Sequence, residues 1–147
     1  MTTLAEVDTA ISVQYVVKID DQSLGSFSSC EGLGCEVVIE TREEGGNNAF
    51  VWQLPTRIKY SNIKLTRPLG ADTSKIASWI AGVARGYTRS TATIQAKSSN
   101  GAIVAQWQLT GVVPVRWTGP SLSGDQAKVL TETIEIAHHG FLDTGGR

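Results

Sequence analysis

Cysteine and histidine are scarce in this 147-residue sequence, with two of each. Cys30 and Cys35 are spaced C-x4-C, and His138 and His139 are adjacent, so on a strand their side chains point to opposite faces. Neither spacing suits a structural zinc site. So few cysteines also exclude a disulfide scaffold and read as thiols of a reducing compartment. Charge is thin as well: 18% of residues are charged, and 13 basic against 14 acidic side chains leave a net −1. That balance excludes the basic footprint of a nucleic-acid binder. It also removes a barrier to self-association. No window approaches the ~20 apolar residues of a membrane span. The opening MTTLAEVDTAIS lacks the basic and apolar regions of a secretory signal. The expectation is synthesis in the cytoplasm and no stable membrane association.

Catalytic patterns are missing too. Glu36 and Glu40 would share a strand face but lie roughly 13 Å apart along it, beyond the ~6.5–9.5 Å of paired glycosidase carboxylates. Glu132 and Glu135 fall on opposite faces, and solvated or interfacial charge is the reading for both pairs. Gly45-Gly46 is not followed by the Lys-Ser/Thr and helix start of a phosphate loop. No G-x-S-x-G elbow is present. The chain reads as non-enzymatic, with no cofactor and no metal.

What is present is a succession of short alternating runs. The length suits one domain, residues 1–147, able to bury a core without staples. Residues 1–10 read as a flexible end. Strands are expected over Val13–Ile19, Leu24–Phe27, Cys35–Arg42, Tyr60–Arg67, Thr91–Lys97, Ala102–Leu109, Val112–Trp117 and Val129–Ala137. Gly111 should mark a bend, and Pro114 an edge or bulge. In the last run Leu130, Ile134 and Ile136 should share a face. Ser123–Ala127 reads as a turn of helix. Ile76, Trp79, Ile80 and Val83 fall at helical spacing, between N-cap candidates Asp72, Thr73 and Ser74 and a stop at Gly86. That predicts one helix over Thr73–Arg85, lying against a sheet and plugging its open end. The fold class is therefore mainly β: an antiparallel sandwich or small barrel with one flanking α-helix. Trp79 and Trp107 read as core. Trp52 and Trp117 stay open between core and interface.

The chain is organised around Phe27–Gly70. Strand Cys35–Arg42 puts Cys35, Val37, Ile39 and Thr41 on one face, and Glu36, Val38, Glu40 and Arg42 on the other. Then comes EEGGNNAFVWQLPTR, in which Gly45, Gly46, Asn47 and Asn48 tolerate positive φ and favour a tight reversal. Phe50, Val51, Trp52 and Leu54 are too apolar for a solvated loop. Two readings stand: an arm, residues 43–54, projecting to be covered by something else, or a hairpin whose aromatic residues fold back on the chain's own core.

This stretch resembles the tail tube proteins of contractile-tailed phages and of the phage-derived bacterial contractile injection systems. The resemblance covers residues 13–142. It is carried by FSSCEGLGCEVVIETREEGGNN, then LP-x-x-x-KYSNIKLTR, then a late W-x-L…P-x-x-W-x-G-P, and E-T-x-E-I-A-H-x-G, in that order. It implies a tail-tube-like fold and a structural subunit that forms stacked hexameric rings, a hollow inner tube driven through a target envelope as a cargo conduit. The implied partners are further copies of itself, sheath, baseplate and cap proteins, and cargo protein or DNA in the lumen. The implied destination is an assembled phage tail or injection particle. The resemblance assigns inter-subunit contacts to the loop, here Arg42, Glu43, Glu44, Asn47, Asn48, Phe50, Trp52 and Leu54. Asn62, Lys64, Gln106 and Gln108 are candidates to face the lumen. The sequence departs from the family pattern at His139, where an acidic residue is frequent, and around Asp125, Gln126 and Lys128. A baseplate- or cap-proximal ring of the same machine is one alternative. A monomeric β-sandwich module binding carbohydrate or peptide beside Trp52 or Trp117 is the other.

Overall fold

A computed structural model describes residues 14–43, 45–46, 49–86, 89–120, 124 and 129–142. In chain order these form β1 (Gln14–Ile19), β2 (Gln22–Phe27), β3 (Ser29–Glu31), β4 (Cys35–Arg42), β5 (Trp52–Tyr60), β6 (Ile63–Pro68), α1 (Thr73–Arg85), β7 (Ser90–Lys97), β8 (Ile103–Thr118), β9 (Thr131–Ala137) and β10 (Gly140–Phe141). All pairings are antiparallel. An eight-stranded sheet runs β2-β1-β7-β8-β9-β6-β3, with β10 beside β8, and β4-β5 form a separate two-stranded sheet.

Two bent strands curl the large sheet on itself. β8 pairs with β7 up to Val112 and with β9 from Val113 onward. The switch falls at Gly111, with φ +64, where a Cβ would sit 2.8 Å from the His139 ring, so the position requires glycine. On the other side β2 runs into β3 across Ser28, whose N–H donates to Thr66 O at 2.9 Å. The chain thereby passes from its pairing with β1 to its pairing with β6. Every inward alternate is apolar or compensated: Val17, Ile19, Leu24, Phe27, Ile63, Leu65, Ala92, Ile94, Leu109, Val112, Ile134 and Ile136 form the core. Each large aliphatic there contributes about 1.5–3 kcal/mol by leaving water.

The inward rows of β6 and β9 each include a charge, Arg67 and Glu132, directly opposite one another. Glu132 is therefore buried in an ion pair with Arg67, at 2.7 Å, and is not the solvated or interfacial charge expected for it.

Helix α1 has the predicted bounds and buries Ile76 and Trp79 against the core. Its ends differ from expectation. Asp72 at the N-cap is αR with no side-chain capping bond, because its carboxylate is engaged by Lys75 at 2.8 Å. That hydrogen bond and the Lys75 charge hold the Asp72 carboxyl below its usual range. Gly86 is extended rather than left-handed. Trp107 packs half-buried against the core.

Three further expectations are corrected. Trp52–Tyr60 is strand, not loop, so Trp52 and Leu54 lie on β5. β6 begins at Ile63 rather than Tyr60, because Tyr60 still pairs with Cys35. Leu130 precedes β9 and is exposed, outside the inward row of Ile134 and Ile136. The Ser123–Ala127 helical turn and the flexible 1–10 end lie outside the described residues.

Candidate functional site

The β4–β5 ribbon is the part of the fold that does not join the barrel. Its register pairs Cys35 with Tyr60, Glu36 with Lys59, Val37 with Ile58 and Val38 with Arg57, then slips so that Ile39 meets Pro55, Glu40 meets Leu54, Thr41 meets Gln53 and Arg42 meets Trp52. Thr56 is the extra residue of this bulge, and its hydroxyl donates to Val38 O at 2.8 Å. Proline is tolerated at such a site because the ladder is already broken. The bulge decides which side chains share a face. Cross-strand partners point the same way, so Val37, Ile39, Pro55 and Ile58 line one face. Glu36, Val38, Glu40, Arg42, Trp52, Leu54, Arg57 and Lys59 line the other. Without the slip, Trp52 and Leu54 would fall beside Ile58.

Both faces are open. Trp52 is 43% exposed and Ile58 54%, with Val37, Ile39, Phe50 and Leu54 also exposed. The aromatic residues do not fold back on the barrel. Phe50 and Trp52 meet edge to face at 5.0 Å and keep to themselves. Arg42 pairs with Glu40 at 3.3 Å in solvent, an interaction worth little on its own. Glu43 is exposed just past β4, and Gly45-Gly46 make the reversal. Glu44, Asn47 and Asn48 lie outside the described residues.

The ribbon's root is tightly held. The chain enters at Gly32, where a Cβ would lie 2.1 Å from Asn62 O in the link between β5 and β6. Tyr60 packs against His138 and Phe141, at 5.4 and 5.7 Å between ring centroids. His138 Nδ1 accepts the Gly140 N–H at 3.1 Å, which leaves Nε2 to donate to Ser61 O at 3.2 Å. Burial holds its pKa below the usual histidine value. Cys30 is half-buried nearby in sequence, its thiol pushed up to about 11 by burial and then by Glu31. Cys35 is exposed, and both thiols are free.

The four lumen candidates separate into two pairs. Gln106 and Gln108 share the outward face of the β2-β1-β7-β8 half, opposite Gln95 and Thr93, and Gln95 Nε2 donates to Gln106 Oε1 at 3.2 Å. Asn62 and Lys64 sit on the outward face of the β8-β9-β6-β3 half. There Asn62 reaches Glu135 at 3.4 Å, and Lys64 lines a depression of about 210 Å³ with Arg116, Thr118, Thr133 and Glu135.

Two features were not anticipated from the sequence. Among the described residues, Ile103–Trp107 of β8 has β7 on one side only, since β10 reaches no further than Leu109, and Ile103 is 52% exposed. An apolar groove of about 470 Å³ lies between α1 and the far half of β8, lined by Ile80, Val83, Ala84, Pro114, Val115, Arg116 and Trp117. The helical spacing that grouped Ile80 and Val83 with the core was the available signal. The core buries Ile76 and Trp79 and takes Ile80 at its margin, which leaves Val83 half-buried beside the groove.

A family model described as "T4-like virus tail tube protein gp19" matches residues 11–142. This chain therefore belongs to the T4-like virus tail tube protein family. The family is structural, and the mainly antiparallel β fold with one helix is the family's. No curated protein sequence matches it significantly. Among solved structures, a chain of the extracellular contractile injection system PVC sheath–tube complex in its extended state is 18% identical. The match covers 97% of each chain at a TM-score of 0.77. A chain of the sixfold-symmetrised anti-feeding prophage baseplate is 20% identical, covering 92% of this chain and 95% of that one, at 0.74. A chain of the PVC sheath/tube terminator is 19% identical, covering 92% and 97%, at 0.76.

Proposed function

We propose that this protein is the repeating inner-tube subunit of a contractile injection particle or phage tail: rings of six copies that stack into a hollow conduit for protein or DNA cargo. The observation that carries the reading is the β4–β5 ribbon. A two-stranded ribbon is marginal in water, and this one exposes apolar side chains on both faces while its root is rigidly held. Such an arm is built to be covered by another chain, and Arg42, Glu43, Phe50, Trp52 and Leu54 are its contact residues, with Glu44, Asn47 and Asn48 at its tip in sequence.

The sheet edges supply the lateral contact. The order β2-β1-β7-β8 alternates direction, so β8 of one copy meets β2 of the next antiparallel, and the alternation continues around a ring. Joining them hides the exposed Ile103 edge and makes a heterologous contact that closes by rotation, while the arm repeats along the axis. The face carrying Gln106, Gln108, Gln95 and Thr93, with Lys18 opposite Thr93 and Lys97 opposite Ile103, then lines the lumen as a polar surface to which cargo does not adhere. Asn62 and Lys64 fall on the opposite half, away from the channel in this arrangement. Six copies follow the anti-feeding prophage baseplate, whose structure is sixfold-symmetrised. The PVC sheath–tube complex and the sheath/tube terminator support sheath, baseplate and cap proteins as partners. Such a subunit is made in the cytoplasm and then resides in the assembled particle.

Negative-stain electron microscopy with sedimentation velocity tests this. Wild-type chain forms rings or hollow stacks, alone or on baseplate components, and Trp52→Ala stays unassembled with an unchanged melting profile. Wild-type-length tubes from Trp52→Ala would remove the arm from the assembly. A chain that remains monomeric with baseplate components present would sink the tube itself.

A further inference from the structure

We infer that His138 is a proton-sensitive latch on the root of the β4–β5 arm: the neutral ring fastens the arm's returning strand to the barrel, and a proton on Nδ1 releases it. The latch is a property of the single subunit and stands whether or not the tube reading does. His138 continues the inward row of Glu132, Ile134 and Ile136 on β9, and closes the barrel at the end from which the arm leaves, with 7% of its surface exposed. Two hydrogen bonds fix the ring. Nδ1 accepts the Gly140 N–H at 3.1 Å, so the neutral ring carries its one proton on Nε2, which donates to Ser61 O at 3.2 Å. Ser61 directly follows β5, so this bond ties the arm's returning strand to the end of β9. Tyr60, the last residue of β5 and the partner of Cys35, completes the closure. Its ring, the imidazole and Phe141 lie within 5.3–5.7 Å of one another between centroids.

A proton at Nδ1 turns the acceptor of the Gly140 N–H into a second donor, and the two N–H groups then oppose each other. The site has little slack to absorb this. Gly140 has φ +132, and a Cβ there would lie 2.9 Å from Cζ of Tyr60, so a shift of that backbone is passed to the last residue of the arm. The new charge also finds no counter-charge. Among the described residues His138 is in no ion pair. What faces it is the Tyr60 phenol from β5, the Ser61 carbonyl from the β5–β6 link, and Phe141 from β10. The next residue, His139, adds a like charge when protonated. Glu135, the nearest carboxylate along β9, is spent on the outward face, where Asn62 reaches it at 3.4 Å. Burial, and to a smaller degree His139, therefore hold the closed ring's pKa below the usual histidine value, and the proton enters by way of the open root.

Amide hydrogen exchange on the unassembled full-length chain between about pH 5 and 7.5, corrected for the intrinsic pH dependence of exchange, tests the latch. The root amides of Glu36, Lys59 and Tyr60 should lose protection by about tenfold per pH unit below about 6.5, the limit for one proton, until the folded value is reached. They should also exchange far faster than Ile94 in the middle of β7 at every pH, which marks the opening as local. In His138→Gln the slope at the root should disappear. Root amides that exchange no faster than Ile94 would mean that only global unfolding answers the proton, and would overturn the latch. An unchanged slope in the variant would overturn it as well. If His138→Gln does not fold, nitrogen NMR of the wild-type imidazole decides. The neutral ring should carry its proton on Nε2, and the Tyr60 and Ser61 amide signals should titrate with the midpoint of the ring. A neutral ring protonated on Nδ1, or root signals with a different midpoint, overturns the latch.

Discussion

Arg67 and Glu132 face each other across β6 and β9, 2.7 Å apart, with 4% and 1% of their surfaces exposed. Around them every polar atom has a partner. Arg67 donates to Leu24 O on β2 and, at 2.7 Å, to Asp72 O at the start of α1. Glu132 accepts from Thr73 Oγ1 at 3.1 Å and from Trp117 Nε1 at 3.0 Å. The guanidinium also lies 4.4 Å above the Phe27 ring. One ion pair thus ties the helix start, the β2 edge and the groove wall to the barrel.

Removing either partner alone leaves a buried charge uncompensated. Glu132→Leu or Arg67→Met is expected to lower stability by about 3–5 kcal/mol in urea denaturation, and the double variant by much less. A double variant as unstable as the sum of the singles would mean that the pair acts through its outer hydrogen bonds rather than through mutual compensation.

The barrel was largely legible because period-two alternation with an apolar inward row leaves few ways to place β1, β7, β8 and β9. The same alternation held the clue to the ion pair. Arg67 is in phase with Ile63 and Leu65, and Glu132 with Ile134 and Ile136, yet only the register shows that they meet. The arm was half legible. Val37 and Ile39 were placed on a common face, but β5 was hidden because Pro55 and the bulge at Thr56 break its alternation. The free edge at Ile103 and the α1 groove depend on which strands end up as neighbours, which a local pattern does not encode.

His138 predicts a pH response. Its Nδ1 accepts the Gly140 N–H, so protonation there sets two donors against each other, and burial already holds its pKa below the unfolded value of about 6.5. Below that pH the unfolded chain binds a proton that the folded chain does not, so stability falls as pH drops through about 6.5 toward the folded value and is flat above. Calorimetric melting of wild type and His138→Gln between about pH 5.5 and 7.5 checks this. The wild type should lose stability on acidification and the variant should lose less. Parallel curves would show that another group is responsible.

Gly32 and Gly34 flank the arm's root with opposite demands. At Gly32 φ is +94 and a Cβ would meet backbone, whereas at Gly34 nothing lies within 4 Å. Gly32→Ala is expected to cost more than about 2 kcal/mol, and Gly34→Ala less than about 0.5 kcal/mol. Equal small effects in chemical denaturation would mean that the root crossing relaxes freely.

Ile103→Lys tests the free edge of β8. A lysine on an exposed edge is a device against strand pairing between molecules. The substitution touches no core residue, so stability should stay within about 0.5 kcal/mol. Sedimentation velocity should nevertheless show a shift from rings to single subunits, partly reversed at high salt if charge is the cause. Rings of unchanged size would place the lateral contact elsewhere on the barrel.

Deleting Thr56 separates the arm's shape from its composition. The deletion removes the residue that opposes nothing, so β4 and β5 pair without a slip and the alternation continues unbroken. The pairs Ile39–Pro55, Glu40–Leu54, Thr41–Gln53 and Arg42–Trp52 are kept, so every side chain stays on its face and only the local bend and twist of the bulge are lost. The barrel has no contact that requires Thr56, whose hydroxyl bonds only within the arm, so the melting midpoint of the subunit should change little. Assembly should weaken, because without the bulge the arm no longer bends and twists toward its neighbour. Tubes of normal width from the deletion variant would show that the two faces of the arm suffice, and that the bend at the bulge carries no information.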